Sequence, residues 1–196
     1  MPPREIPLFP LKLVLFPGGY LTLRIFEQRY LDMVRESAGE DRGFGIVLVV
    51  DSGIPEKPAW HSRIGTLALI RDFFTHDDGL LGLTVQGGPR FSILHTRVRD
   101  NGLLIGHVDW FPDEPPTEVP DEYLLLADLA RQLAEVASED NPALAEPRLE
   151  DASWVGCRLA EMLPLDDTHK QRLLECVDPI ERLQLLMEAV PQVTEG

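Results

Sequence analysis

Lysine is almost missing from this 196-residue chain: Lys12, Lys57 and Lys170 are the only three, and none follows a glycine. A phosphate-cradling P-loop needs Gly-Lys-Ser/Thr, so that class of nucleotide hydrolysis is excluded. No G-x-G-x-x-G follows a strand-like run and no serine stands in G-x-S-x-G, which leaves a dinucleotide fold and a nucleophile elbow without support. Cysteine is also scarce. Cys157 and Cys176 do not make a disulfide framework and read as residues of a reduced, cytoplasmic protein. Five histidines are scattered without H-x-x-x-H or C-x-x-C spacing, so no metal site and no cofactor is expected. Cys157 with His169 is the one nucleophile pair to weigh, and burial of the cysteine as core filler is the better reading. No catalytic residue is assigned.

Long apolar runs are lacking too. The best, "IVLVV", falls far short of the roughly 18 residues of a membrane span. Glu5, Lys12 and several prolines interrupt the start of the chain, which is unlike a secretory leader. Positive charge is in deficit, with 18 Lys and Arg against 33 Asp and Glu for a net of −15, and the deficit is not evenly spread. Residues 1–112 hold 13 acidic and 12 basic side chains, whereas residues 113–196 hold 20 and 6. Such a chain repels phosphate backbones and anionic bilayers, so neither nucleic acid nor membrane is an expected partner. A nucleic-acid role would need Arg24, Arg63, Arg71, Arg90, Arg97 and Arg99 to share one face. The acidic second part is instead suited to basic protein partners.

What the chain has in abundance is short β-like runs. "YLTLRI" alternates, "FGIVLVV" is apolar and β-branched, and "IGTLALIRDFF", "LLGLTVQG", "RFSILHTRVR" and "LLIGHVDWF" follow closely. Turn signals lie between them: "HDDG" at 76–79, "GGP" at 87–89 and "DNG" at 100–102. One helix interrupts the series at "EQRYLDMVRESAG", with Tyr30, Leu31 and Val34 on its apolar side and Gly39 as its stop. "PDEPPTEVP" at 112–120 reads as an extended connector. Beyond it the apolar period changes from 2 to 3.6, predicting helices near 121–138, 150–162, 167–176 and from 178. Leu126, Leu129, Leu133 and Val136 should form the buried stripe of the first. The last opens on Asp178 as cap, Pro179 at the first helical position and Glu181 three residues after the cap, with a stripe of Leu183, Leu186, Met187 and Val190. Domains are therefore expected at 1–112 and 121–196, joined by a linker at 113–120.

Three stretches, "IPLFPLKLVLFPGGYLTLRIFEQRYLDMV" at 6–34, "FGIVLV" at 44–49 and "IGTLALIRDF" at 64–73, resemble the N-terminal domain of Lon proteases. "LPLDDTHKQRLLECVDPIERLQLLMEAV" at 163–190 resembles the helical part that follows in that family. The resemblance implies an α+β fold: a PUA-like antiparallel β-barrel with an inserted helix, followed by a four-helix α-helical bundle. It implies that the first strand enters at Phe9-Pro10 and leaves at Phe16-Pro17, each phenylalanine dropping into the core. The 196 residues carry neither the ATPase module nor the Ser-Lys protease domain of full Lon enzymes, so no enzymatic activity is expected. The implied role is a non-catalytic polypeptide-binding or adaptor module for unfolded or degron-bearing polypeptides, acting as a monomer or weak homodimer with a separate protease or chaperone. The candidate binding residues are Phe26, Glu27, Arg29 and Tyr30 in "FEQRY", with Trp60 as an exposed anchor in a polar loop. A small-molecule binder is the alternative, its aromatic pocket drawn from Trp60, Phe73, Phe74 and Trp110.

Overall fold

A computed structural model describes residues 3–40, 42–50, 60–139 and 141–194. Two units, 1–112 and 113–196, each fold around their own interior. Among the described residues the first unit contains seven strands and one helix: β1 (Glu5–Leu11), β2 (Tyr20–Ile25), α1 (Gln28–Glu40), β3 (Phe44–Val50), β4 (Trp60–His61), β5 (Ile64–Thr75), β6 (Leu81–Val98) and β7 (Leu104–Trp110). β5, β6 and β7 form an antiparallel meander, and β2 runs antiparallel to the first half of β6. β1 is paired along both edges. Its first half lies antiparallel to β7, from Glu5 opposite His107 to Leu8 opposite Leu104. Its second half runs parallel to β3, from Leu8 beside Gly45 to Leu11 beside Leu48. The expectation of a wholly antiparallel arrangement is corrected at this point. β2 and α1 intervene in sequence, giving the crossover length that a parallel neighbour requires.

The two prolines of β1 are tolerated for a reason of register. The Arg4 carbonyl accepts from the Val108 N–H at 2.8 Å, so alternation turns the polar groups of even-numbered residues toward β7. Pro7, opposite Ile105, has its missing N–H on the other edge. Pro10 faces the β7 side, but β7 begins opposite Leu8, so no ladder donor is lost there. The first strand therefore runs through Pro7 and Pro10 rather than between the two Phe-Pro steps, and residues 12–19 are irregular. Phe9 and Phe16 are both buried, and Gly18 turns the chain with φ of 76°.

The "GGP" run is a second correction. It lies inside β6, which continues from Leu81 to Val98. Gly87 lacks a side chain because the backbone of residues 16–19 comes against it: Gly18 N–H donates to the Gly87 carbonyl at 2.7 Å and Gly87 N–H to the Gly19 carbonyl at 2.8 Å. A Cβ at Gly87 would run into the carbonyl oxygen of Phe16. The "DNG" run is a true turn, with Gly102 at φ of 81° and the Asn101 side chain accepting from Leu103 N–H at 3.1 Å. Around α1, Tyr30, Met33 and Val34 join Phe9, Leu23, Ile25, Phe44 and Ile105 in one core cluster. A second cluster gathers Ile6, Leu8, Val47, Phe91 and Val108. Gly39 does not stop α1; the left-handed residue after the helix is Gly43, at φ of 69°.

The second unit holds α2 (Leu124–Ala137), α3 (Ala152–Met162), α4 (Asp167–Glu175) and α5 (Pro179–Thr194). α3 packs against the other three and is buried almost all round, from Ala152 through Ala160 save Ser153. The proline-rich stretch is extended but belongs to this unit. Ala152 N–H donates to the Thr117 carbonyl at 2.8 Å and Val119 N–H to the Glu150 carbonyl at 3.0 Å. In α2 the buried side chains are Leu126, Ala127, Ala130 and Ala134, whereas Val136 is 86% exposed. The expected leucine stripe is thus displaced toward the small residues, which let a neighbouring helix approach more closely than leucines would. In α5, Leu183 and Leu186 are buried as expected and Met187 partly so; the Val190 side chain lies outside the described residues.

Candidate functional site

The chain leaves β2 at Ile25 and enters α1 at Gln28. Glu27 serves as the hinge between them: its carbonyl accepts from Tyr30 and Leu31 N–H, each at 3.0 Å. This tight entry fixes where the next side chains point. Tyr30 turns inward and stacks on Phe9, with centroids 4.1 Å apart and rings inclined by 30°. Phe9 in turn meets Phe44 at 6.1 Å. Arg29 closes the stack from above, its guanidinium 4.7 Å from the Tyr30 ring centre. The same guanidinium pairs with the Glu27 carboxylate at 2.7 Å and donates to the Gly102 carbonyl at 3.2 Å. Arg29 thereby ties the start of α1 to the β6–β7 turn. Phe26 takes no part in the core and is 66% exposed.

These residues surround a groove of about 640 Å³. One wall is Arg24, Ile25, Phe26, Glu27, Arg29 and Tyr30; Phe9, Pro10 and Leu11 supply the end of β1; Val98, Gly102 and Leu104 supply the β6–β7 hairpin. Val49 and His61 complete it. Four of the five side chains expected from the sequence are thus brought together, while the Trp60 side chain lies outside the described residues. Val98 and Leu104 carry no distinctive sequence pattern. Their only trace in the sequence is an apolar residue on each side of the Arg99-to-Leu103 turn, which without a partner strand reads as ordinary hairpin filling.

Burial, the largest influence, pushes the Tyr30 phenol above its ordinary value; the Arg29 charge works against that shift and the Glu27 charge adds to it. Arg24 is held by Asp78 of the β5–β6 turn. Most of the lining side chains are apolar, and the charged ones are Arg24, Glu27 and Arg29. Among the described residues no group of three or more His, Cys, Asp or Glu side chains is arranged to hold a metal ion.

Other constellations from the sequence are dispersed. Cys157 is buried and its thiol is pushed up chiefly by that burial, while His169 is exposed and engaged by Asp166 at 2.8 Å. Phe74 sits edge-on to His76 and Trp110 edge-on to Phe91. Their partners on β6, Gly82 and Phe91, lie nine residues apart, roughly 30 Å of strand, so Phe73, Phe74 and Trp110 do not share one cage. The arginines do not form a common face: Arg90 is buried beneath the Phe111 ring, Arg97 pairs with Glu5 and Arg99 with Glu36. No helix among the described residues is long and apolar enough to cross a membrane.

Comparison with known proteins agrees with this architecture. The chain is 26% identical over 195 residues to Lon protease of Cytophaga hutchinsonii and 28% identical over 204 residues to Lon protease 2 of Myxococcus xanthus. These alignments cover 95% and 98% of this chain but 24% of each relative, so the chain spans about a quarter of the curated relatives' length. Among solved structures, a Lon N-terminal domain protein from Xanthomonas campestris is 38% identical with a TM-score of 0.78, covering 94% of this chain and 97% of that one. The N-terminal domain of Mycobacterium avium complex Lon protease shares the fold at 19% identity and a TM-score of 0.64, with the same coverages. The family model for the ATP-dependent protease La (LON) substrate-binding domain matches residues 5–192, and the chain belongs to that family.

Proposed function

We propose that the groove beside α1 binds unfolded or degron-bearing polypeptide segments, and that the chain serves as a non-catalytic recognition or adaptor module. The observation that carries this reading is the convergence of Phe26, Tyr30, Phe9, Val98 and Leu104 on one groove in a member of a substrate-binding family. Exposed apolar side chains at 66%, Phe26 and Val98, cost hydration that an apolar segment of an unfolded chain would recover. A PUA-like closed barrel is the natural reading of the ladder, since β1 pairs with both β7 and β3. A cytoplasmic location suits two buried cysteines, Cys157 and Cys176, held as thiols. Handing the captured polypeptide to a separate protease or chaperone would complete the role.

The test is binding of a fluorescently labelled, reduced and alkylated model polypeptide, followed by anisotropy. Phe26→Asp and Val98→Asp change exposed positions and should leave the thermal midpoint intact while weakening binding by about tenfold or more. Unaltered affinity in the double variant would remove the groove from the function.

A further inference from the structure

We propose a second interaction surface, on α2, that receives a basic amphipathic helix of a partner protein. At 3.6 residues per turn, Leu125, Leu129 and Val136 stand within about 40° of one another, and Leu133 about 40° beyond. Leu125 is 64% exposed and Val136 86%, while Leu129 and Leu133 are half-buried. The buried side of the helix is different: Leu126, Ala127, Ala130 and Ala134 form the neighbouring sector. α2 therefore carries more apolar surface than its own unit covers. The uncovered part is a straight ridge of roughly 16 Å over three turns, the shape that packs between the ridges of another helix.

The surroundings select the partner's charge. Asp121, Glu122, Asp128, Glu135 and Glu139 lie along this stretch with Arg131 as its only cation, and Arg131 is already committed to Asp128 at 3.2 Å and Glu135 at 3.1 Å. The unit as a whole carries 20 acidic against 6 basic residues. A second copy would bring the same excess of negative charge to the contact, whereas a helix with lysines or arginines flanking an apolar stripe gains on both counts. The surface does not involve the α1 groove, so it does not depend on the function proposed for that groove.

The experiment uses the full chain and a labelled synthetic 18-residue peptide with leucines at i, i+3, i+4 and i+7 spacing and lysines elsewhere. Anisotropy should show this peptide binding about tenfold tighter than a scrambled peptide of identical composition. Leu125→Asn with Val136→Asn, both exposed changes, should lower that affinity by about tenfold at an unchanged thermal midpoint, and Phe26→Asp should leave it unaltered. Higher salt should weaken binding. Equal binding of the scrambled peptide, an unaffected double variant, or equal binding of a glutamate-for-lysine peptide would overturn the proposal. So would sedimentation showing that the chain dimerises through Leu125 and Val136.

Discussion

Arg182 is 1% exposed, an unusual place for a guanidinium, and four of its five N–H groups make hydrogen bonds. Nε donates to the Leu173 carbonyl at 3.0 Å, the two terminal nitrogens grip the Glu114 carboxylate at 3.0 and 2.5 Å, and one also reaches the Cys176 carbonyl at 2.8 Å. Removing one member of such a pair strands the other charge away from water. Glu114→Ala should therefore destabilise the helical unit by about 3–5 kcal/mol in urea denaturation, far more than loss of an exposed pair such as Arg97–Glu5. A loss below about 1 kcal/mol would mean that water reaches Arg182 readily. The sequence placed Glu114 in a linker, because nothing local marks which distant arginine a carboxylate will meet. Tyr30 carries a second residue-scale prediction. Its phenol is raised in the fold, so the folded state holds the proton more tightly than the unfolded state. The stability from Tyr30 is complete below its ordinary value of 10.0 and is lost as pH rises above it. Tyr123 is raised as well, so phenolate absorbance should show two late-titrating tyrosines, and Tyr30→Phe should remove one of them and lessen the alkaline fall in stability.

At the scale of elements, the start of α5 was legible because its determinants are adjacent in sequence. The Asp178 side chain accepts from Ile180 N–H at 2.8 Å, Pro179 opens α5, and Asp166 caps α4 by accepting from His169 N–H at 2.8 Å. Ends and interiors were less legible. "GGP" carries strong turn chemistry, yet close approach of the residue 16–19 backbone gives Gly87 another use. Gly39 was read as a stop and lies within α1, where an added Cβ would meet nothing within 4 Å. Gly39→Ala should stabilise the protein by about 0.5–1 kcal/mol, read as a thermal midpoint higher by about 1–4 °C. A lower midpoint would show that the last turn of α1 needs glycine after all.

For the molecule as a whole, charge is the dominant asymmetry. With 20 acidic and 6 basic residues in 113–196, self-repulsion should oppose compaction of the helical unit, and salt should screen it. Raising sodium chloride from about 20 to about 300 mM is expected to raise the calorimetric midpoint. A falling midpoint would mean that surface ion pairs such as Arg131 with Asp128 and Glu135 outweigh the repulsion. Composition, charge division, short-strand pattern and the cap of α5 were readable from the chain alone, because each is set by neighbours within a few residues or by simple totals. Tertiary structure alone decided that β1 pairs with both β7 and β3, that three alanines join Leu126 on the buried side of α2 in place of Leu129, Leu133 and Val136, that Glu114 belongs to Arg182, and that Val98 and Leu104 come beside Phe26 and Tyr30. Each of these depends on which distant surfaces exclude water together, and that is a property of the packed chain rather than of any window along it.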